Sequence, residues 1–271
     1  MTTAERSYPE RLSLASRITE PAIRQAIAAI GLPPGSRGLD VGCGIGLHTL
    51  WLAEAVGEGS HVLGVDISPQ NLAEARRRAL GSPHAPAVEF QPGDLFHLQL
   101  EADAFDWAFC SDVLWPMPGM DLVAGLVEIA RVVRRGGVIA VLFWSGQQLL
   151  AGHPELEARL GVAHAAWNPY LRGIEPDRHF LRARSWMGQA GLESVTARTF
   201  VADIASPLGS DQREALAYCL EMFWSEPAST LGEENRRAFQ LLSRPDSTEF
   251  VGDAPGYVGF VAYTLFQGTV T

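Results

Sequence analysis

Short apolar blocks in the first half of this chain alternate with stretches whose apolar residues recur at helical spacing, and that alternation predicts strands interleaved with helices. Ile23, Ile27 and Ile30 share one helical face over residues 20–30, with Pro21 suited to a first turn and Gly31 to the cap that ends the helix. After the Pro33-Pro34-Gly35 turn the pattern predicts strands at 38–42, 61–66, 87–91, 105–110 and 137–144. Helices are predicted between them at 46–56, 69–80 and 119–134. Strands alternating with helices build a parallel sheet covered on both faces, an α/β class of fold.

The second half loses this rhythm. Residues 145–180 have weaker helical patterning broken by His, Pro, Trp and Tyr, and 181–191 read as a helix closed by Gly191. A strand near 193–201, helices near 211–223 and 232–243, and a strand at 257–267 follow. Two insertions therefore interrupt the end of the fold. The expected division is a core with its N-terminal helices at 1–144, an insertion at 145–180, and the end of the core sheet at 181–271 with a helical insertion at about 205–250.

The segment Arg37-Gly38-Leu39-Asp40-Val41-Gly42-Cys43-Gly44-Ile45-Gly46-Leu47-His48 reads as a buried strand, a glycine loop and the start of a helix. Glycines let the backbone take positive φ and let a ligand approach the main chain, while the first N–H groups of the following helix face the same point. The spacing is G-x-G-x-G, with Leu47 where the dinucleotide pattern has its third glycine, and no G-x-x-x-x-G-K-[ST] loop is present. A nicotinamide oxidoreductase is disfavoured on that ground.

With Asp40 ahead of Gly42, Gly44 and Gly46, the segment D-x-G-x-G-x-G resembles motif I of the class I S-adenosyl-L-methionine (SAM)-dependent methyltransferases. Asp66 ends the second strand near the ~20-residue offset at which a carboxylate meets a ribose diol; its competing reading is a helix N-cap or solvated turn. The resemblance implies that Asp66 binds the ribose and Ile67 packs on adenine. Gly93-Asp94-Leu95, after the third strand, resembles motif III, whose carboxylate accepts from the adenine amino group; Gly-Asp is also a common turn. Cys110-Ser111-Asp112 match the exit of the fourth strand, where relatives line the methionine half of the cofactor, and Cys43 falls within motif I. Arg134-Arg135-Gly136-Gly137 resembles the turn into strand five.

These signals, in order over residues 38–144, resemble most closely the small-molecule branch of ubiquinone and menaquinone methyltransferase type (methyltransferase type 11). That resemblance implies a Rossmann-like, doubly wound, mostly parallel seven-stranded sheet with an antiparallel last strand, here with helical lid insertions. It also implies SAM as cofactor and methyl transfer by in-line displacement to a small, aromatic or apolar metabolite. A SAM-binding fold that transfers nothing and serves as a regulatory or partner subunit is the alternative; such proteins often lose the acidic and glycine positions retained here.

Composition narrows the chemistry further. Net charge is -10, which argues against a nucleic-acid partner. The basic clusters, Arg76-Arg77-Arg78 and Arg131 with Arg134-Arg135, read as solvated helix ends. All 21 basic residues are arginine, so Schiff-base chemistry and a lysine base are excluded within this sequence. Cys43, Cys110 and Cys219 have neither C-x-x-C spacing nor an even count, so no disulfide framework or metal site is expected and a reduced, cytoplasmic setting fits. No apolar run approaches the ~18 residues of a membrane span, and Met1-Thr2-Thr3-Ala4-Glu5-Arg6 has no signal core.

The acceptor pocket is expected outside the C-terminal strand ends. Trp115, Trp144, Trp167 and Tyr170 would supply aromatic surface there, against the alternative of core packing. The sequence does not identify a base: His153, His164 and His179 lie in the first insertion and each reads first as a surface residue, His179 beside Phe180 being the one candidate; His48 would border the cofactor or pack locally. Asn168-Pro169-Tyr170 lacks the second proline and the position after strand four that amide methylation needs. Tyr8, Arg11 and Arg17 precede the first predicted helix and read as a loosely ordered terminus.

Overall fold

A computed structural model describes residues 6–117 and 119–271. The seven strands are β1 (Arg37–Val41), β2 (His61–Asp66), β3 (Val88–Pro92), β4 (Phe105–Ser111), β5 (Val133–Gln148), β6 (Glu193–Ala205) and β7 (Val258–Thr269). They form one sheet in the order β3-β2-β1-β4-β5-β7-β6. The pairs β1 with β2, β1 with β4, β2 with β3 and β4 with β5 are all parallel. β7 runs the other way: its end bonds the start of β5 through Gly136 N–H to Val270 O at 2.8 Å and Val270 N–H to Gly137 O at 2.9 Å, while Thr264 meets Ser145 farther along. This is the doubly wound sheet with an antiparallel last strand.

The helices are α1 (Tyr8–Ile30), α2 (Leu47–Val56), α3 (Pro69–Ala79), α4 (Leu122–Val132), α5 (Pro154–Trp167), α6 (Ala183–Gln189), α7 (Ser210–Ser229) and α8 (Glu233–Ser243). Chain contacts divide the protein into two units. The first comprises Ile23–Ser145, Ile174–Phe200 and Tyr263–Thr271; the second comprises the chain up to Ala22, Gly146–Gly173 and Val201–Ala262.

In the first unit the central strands are apolar on both faces, as parallel strands under two helical layers must be. Leu39, Trp107, Phe109, Ile139 and Phe143 are all fully buried. Trp107 fits only because residue 38 is glycine: a Cβ there would lie 2.0 Å from the indole ring. Its Nε1–H donates to Ser36 Oγ at 2.8 Å, so the polar edge of the ring is satisfied inside the core. On α3, Leu72, Ala75 and Ala79 lie one helical face apart and pack with Leu50 on Phe90 of β3.

The second unit contains α5, α7 and α8. Leu156 and Leu160 of α5, Leu216 and Leu220 of α7, and Phe239 and Leu242 of α8 are buried. His164 of α5 donates from Nδ1 to the Phe223 carbonyl of α7 at 2.8 Å, and its Nε2 accepts from Asn168 at 3.0 Å. Among the described residues no helix is long and apolar enough to cross a membrane.

Two expectations need correction. α1 begins at Tyr8, so Pro21 lies inside the helix rather than in its first turn, and Tyr8, Arg11 and Arg17 are helical. The buried face continues through Leu14, Ile18 and Ala22, and that continuous apolar stripe outweighs the loss of one N–H donor at Pro21. Arg134 and Arg135 are not a helix end either: α4 stops at Val132 and β5 begins at Val133, where Arg134 Nε donates to Asp106 at 2.7 Å.

Candidate functional site

The carboxyl ends of β1, β2 and β4 lie side by side, and the chain leaves each of them through a short polar turn. Val41 pairs with both Val65 of β2 and Cys110 of β4, which sets Gly42 beside the exits of both neighbours. The Val65 carbonyl accepts from both Gly42 N–H at 2.8 Å and Cys43 N–H at 2.9 Å, which turns the loop sharply at the strand end. Gly42, Gly44 and Gly46 have φ of 72°, 53° and 77°, a region that side chains with a Cβ avoid. At Gly42 a Cβ would meet Val113 Cγ2 at 2.2 Å, so the loop and the segment after β4 are pressed together. Gly46 then opens α2 with no side chain to cap it, leaving the first-turn N–H groups for a ligand.

Asp66 holds this loop in place. Its Oδ2 accepts from the Gly44 N–H at 2.9 Å, and Oδ1 accepts from Ser68 N–H at 2.8 Å and Asn71 Nδ2 at 3.4 Å. A carboxylate has roughly four acceptor positions, so one remains for a hydroxyl. The helix cap at α3 is Ser68, whose Oγ accepts from Asn71 N–H, so Asp66 shapes the turn without being the cap.

Beside it, Ile67 is 78% exposed. It lines a cavity of about 460 Å³ with Gly93, Asp94, His97, Gln91 and Leu98. Asp94 Oδ1 accepts from Phe96 N–H at 3.0 Å, which fixes the carboxylate at the cavity, while Leu95 turns into the core.

Two further carboxyls stand at the ends of β1 and β4, Asp40 buried and Asp112 half-buried. Asp40 is 1% exposed, and Thr49 donates its hydroxyl to Oδ2 at 2.7 Å. Burial, against the pull of that hydrogen bond and with the nearby Asp66 charge, pushes the Asp40 carboxyl up to about 7. Asp112, next after Ser111, sits on left-handed backbone with φ 54°. It accepts from Trp144 N–H at 2.8 Å, and the Tyr263 hydroxyl bonds the same carboxyl, whose pKa burial raises to about 7. Cys43 and Cys110 are buried thiols, pushed up first by burial.

The aromatic residues divide between the units. Trp115 packs against Phe180 and Phe143, with ring centroids at 4.9 and 5.4 Å, and Trp144 lies 5.5 Å from Tyr263. Trp167, 49% exposed, and Tyr170 belong to the second unit. There Asn168 Oδ1 accepts from Tyr170 N–H at 2.8 Å, so Asn168-Pro169-Tyr170 forms the turn that ends α5. His179 accepts through Nδ1 from Leu181 N–H at 3.3 Å and stacks 4.5 Å from Phe180. Its Nδ1 lone pair is thus engaged, and burial lowers its pKa. His48 packs against Trp51 at 5.4 Å, neutral with its pKa lowered by burial to about 4.

Thr49, Asn71 and Tyr263 were not legible as site residues. The first two fall in the opening turns of α2 and α3, the positions nearest a strand-end carboxylate, and could have been sought there; Tyr263 carries no local signal. Among the described residues no three His, Cys, Asp or Glu side chains gather as a metal site.

Residues 39–141 match the family model described as a methyltransferase domain. The demethylmenaquinone methyltransferase of Desulfitobacterium hafniense (strain Y51) is 33% identical over 119 residues, 44% of this chain and 46% of that protein. Methyltransferase GfsG of Streptomyces halstedii is 34% identical over 125 residues, 46% of this chain and 42% of that protein. The chain therefore spans a little under half the length of these relatives. A geranyl diphosphate methyltransferase solved with SAM shares the fold, with TM-score 0.52 and 17% identity over 98% of this chain and 92% of that one.

Proposed function

We propose that this chain, whose residues 39–141 match a methyltransferase domain, transfers a methyl group from SAM to a small aromatic or apolar metabolite. The observation that carries the reading is the Gly44 N–H to Asp66 bond. It joins the positive-φ glycine loop to a buried carboxylate with one acceptor position to spare, beside the exposed Ile67 and the Asp94 cavity.

This donor set fits SAM. Asp66 would accept from a ribose hydroxyl, Ile67 and the Gly93-Asp94-Leu95 turn would hold the adenine, and Asp40, Gly42, Cys43, Gly44 and Gly46 the strand-end loop beneath it. Cys110, Ser111 and Asp112 would line the methionine half. Bound there, SAM supplies an activated methyl on a sulfonium, so the protein's task is alignment, worth up to ~7–11 kcal/mol in ideal intramolecular cases. Trp115 follows the exit of β4, whereas Trp144, expected at the end of the fifth strand, lies within β5, which runs on to Gln148; aromatic faces stabilise a nearby cation by about 0.5–2 kcal/mol. The similarity to the Desulfitobacterium protein, a demethylmenaquinone methyltransferase, supports a ring-bearing apolar acceptor.

Calorimetric titration tests the cofactor. SAM and S-adenosylhomocysteine should bind and NADH should not, and Asp66→Ala should weaken SAM at least about tenfold, the loss of one charge-assisted hydrogen bond or more. Unchanged affinity in Asp66→Ala removes the ribose assignment. Transfer of labelled methyl from SAM into a metabolite extract tests the activity itself.

A further inference from the structure

Methyl transfer to a hydroxyl or carbon acceptor releases a proton, and the residues so far placed leave it without a destination. His179 has its Nδ1 lone pair engaged by Leu181. Asp112 is placed to receive it. It leaves β4 at the strand end where doubly wound sheets bind ligands, and the next residue, Val113, is pressed against Gly42 of the glycine loop. Left-handed backbone at φ 54° and the bond from its own N–H to Leu142 O at 2.9 Å fix its direction. Trp144 N–H from β5 and the Tyr263 hydroxyl from β7 hold the carboxyl from two further strands.

We infer that Asp112 is the proton acceptor of the site, drawn toward its carboxylate form when the sulfonium of SAM is bound. The inference rests on the SAM reading above. In the transfer, the acceptor's heteroatom or carbon forms its bond to the methyl carbon, and the methyl–sulfur bond breaks with its electron pair kept on sulfur. The acceptor's proton passes to the Asp112 carboxylate. That carboxylic acid loses its proton to solvent when the next sulfonium arrives, so each turnover returns the group to its starting state. This points to acceptors that carry a removable proton, such as phenols or enols.

The groups that face Asp112 are the Cys110 thiol and Ser111 hydroxyl of its own strand, Trp144 N–H from β5 and Tyr263 from β7; the Asp40 carboxyl reaches Cys110 from β1. None of these is cationic. Burial therefore raises the Asp112 carboxyl to about 7, and a positive sulfonium nearby would lower it by ordinary charge attraction.

S-adenosylhomocysteine has no positive sulfur, and the pair of ligands isolates that charge. Titrations between pH 5.5 and 8 in buffers of different ionisation enthalpy measure the protons released on binding. SAM should release more than S-adenosylhomocysteine does, and its Kd should rise by up to about tenfold for each pH unit of acidification relative to that of S-adenosylhomocysteine. Asp112→Asn should abolish the difference, with an unchanged circular dichroism spectrum and a cooperative thermal melt reporting a folded protein. Tyr263→Phe removes a hydrogen bond that favours the carboxylate and should move the difference to higher pH. Equal proton release for both ligands overturns the inference, as does a difference that survives Asp112→Asn but vanishes in Asp40→Asn. If neither ligand binds the wild type, the cofactor reading fails and this inference with it.

Discussion

Glycine serves opposite ends in the two units. At Gly42 and Gly46 the backbone is left-handed, and a Cβ would lie 2.2 Å from Val113 and 2.9 Å from Ala75. At Gly161, inside α5 of the second unit, φ is ordinary and nothing lies within 4 Å of where a Cβ would be. The loop glycines are demanded by left-handed backbone and close neighbours; Gly161 is tolerated by a surface helix. The first unit is thus held by close backbone approaches at its strand-end loop, and the second by burial and hydrogen bonding of its helices.

The largest test of this contrast is Gly42→Ala. Left-handed backbone costs a residue with Cβ about 1–2 kcal/mol, and overpacking against Val113 adds about 1–3 kcal/mol. The variant should lose about 2–5 kcal/mol of stability in denaturant titration, and SAM binding should fall below detection. A variant that kept wild-type affinity would show that the loop does not form the cofactor's cradle.

The buried carboxyls of the first unit give a second, smaller effect. Asp40 and Asp112 stay protonated in the folded chain to about pH 7, against an ordinary 3.8 in the unfolded chain. Raised values mean that the stability they contribute is complete below the unfolded pKa and is lost as pH rises through the folded one. His48 opposes them, since its pKa is lowered from 6.5 to about 4 and it resists protonation as the solution acidifies. The Asp40 share is isolated by its variant: between about pH 5 and 6.5 the stability of the empty protein relative to Asp40→Asn should fall with rising pH, by up to roughly 1.4 kcal/mol per unit. That window lies above the titration of Glu74, Asp106 and Glu128, which arginine hydrogen bonds hold low. Thermal melts of both proteins across pH read the difference; a difference that stays constant would mean that Asp40 ionises normally.

How much of each unit could be read beforehand follows from the same difference. The strand, glycine loop and helix at 37–56 were legible because only glycine takes the backbone that the loop requires, and Asp66 and Asp94 fall where strand ends put them. The start of α1 was not, because Pro21 looks like a first-turn proline until the apolar stripe through Leu14 and Ile18 is seen to be buried. β5 began earlier than expected because Arg134 and Arg135 suit a helix end locally, while their pairing with Asp106 depends on the neighbouring strand. Tyr263 was hidden for the strongest reason. Its contact with Asp112 exists only because β7 returns antiparallel beside β5, a long-range pairing that no local pattern encodes.

A third test falls on the second unit. Gly161→Ala removes the entropic weakness of glycine in a helix without meeting a neighbour. It should stabilise the protein by about 0.5–1 kcal/mol with no change in SAM affinity. A loss of affinity would mean that α5 is held as tightly to the cofactor as the loop is.

The smallest expected change in stability belongs to Trp167→Ala, and it sharpens the comparison most. The side chain is 49% exposed at the last position of α5, where the helix is ended by Asn168 and not by the indole. Removing it takes away little buried surface, so stability should stay within about 0.5 kcal/mol, and SAM affinity should match the wild type. Trp167 is apolar surface that folding leaves exposed, and the sequence pattern assigns it to acceptor capture. Methyl transfer into a metabolite extract should then drop several-fold at limiting acceptor and recover at saturating extract, because a weaker acceptor contact raises KM and leaves kcat. A fall in kcat with unchanged KM would instead place Trp167 among the groups that align the reacting atoms. No change in either would return all acceptor recognition to the first unit, with Trp115 and Trp144 as its aromatic surface.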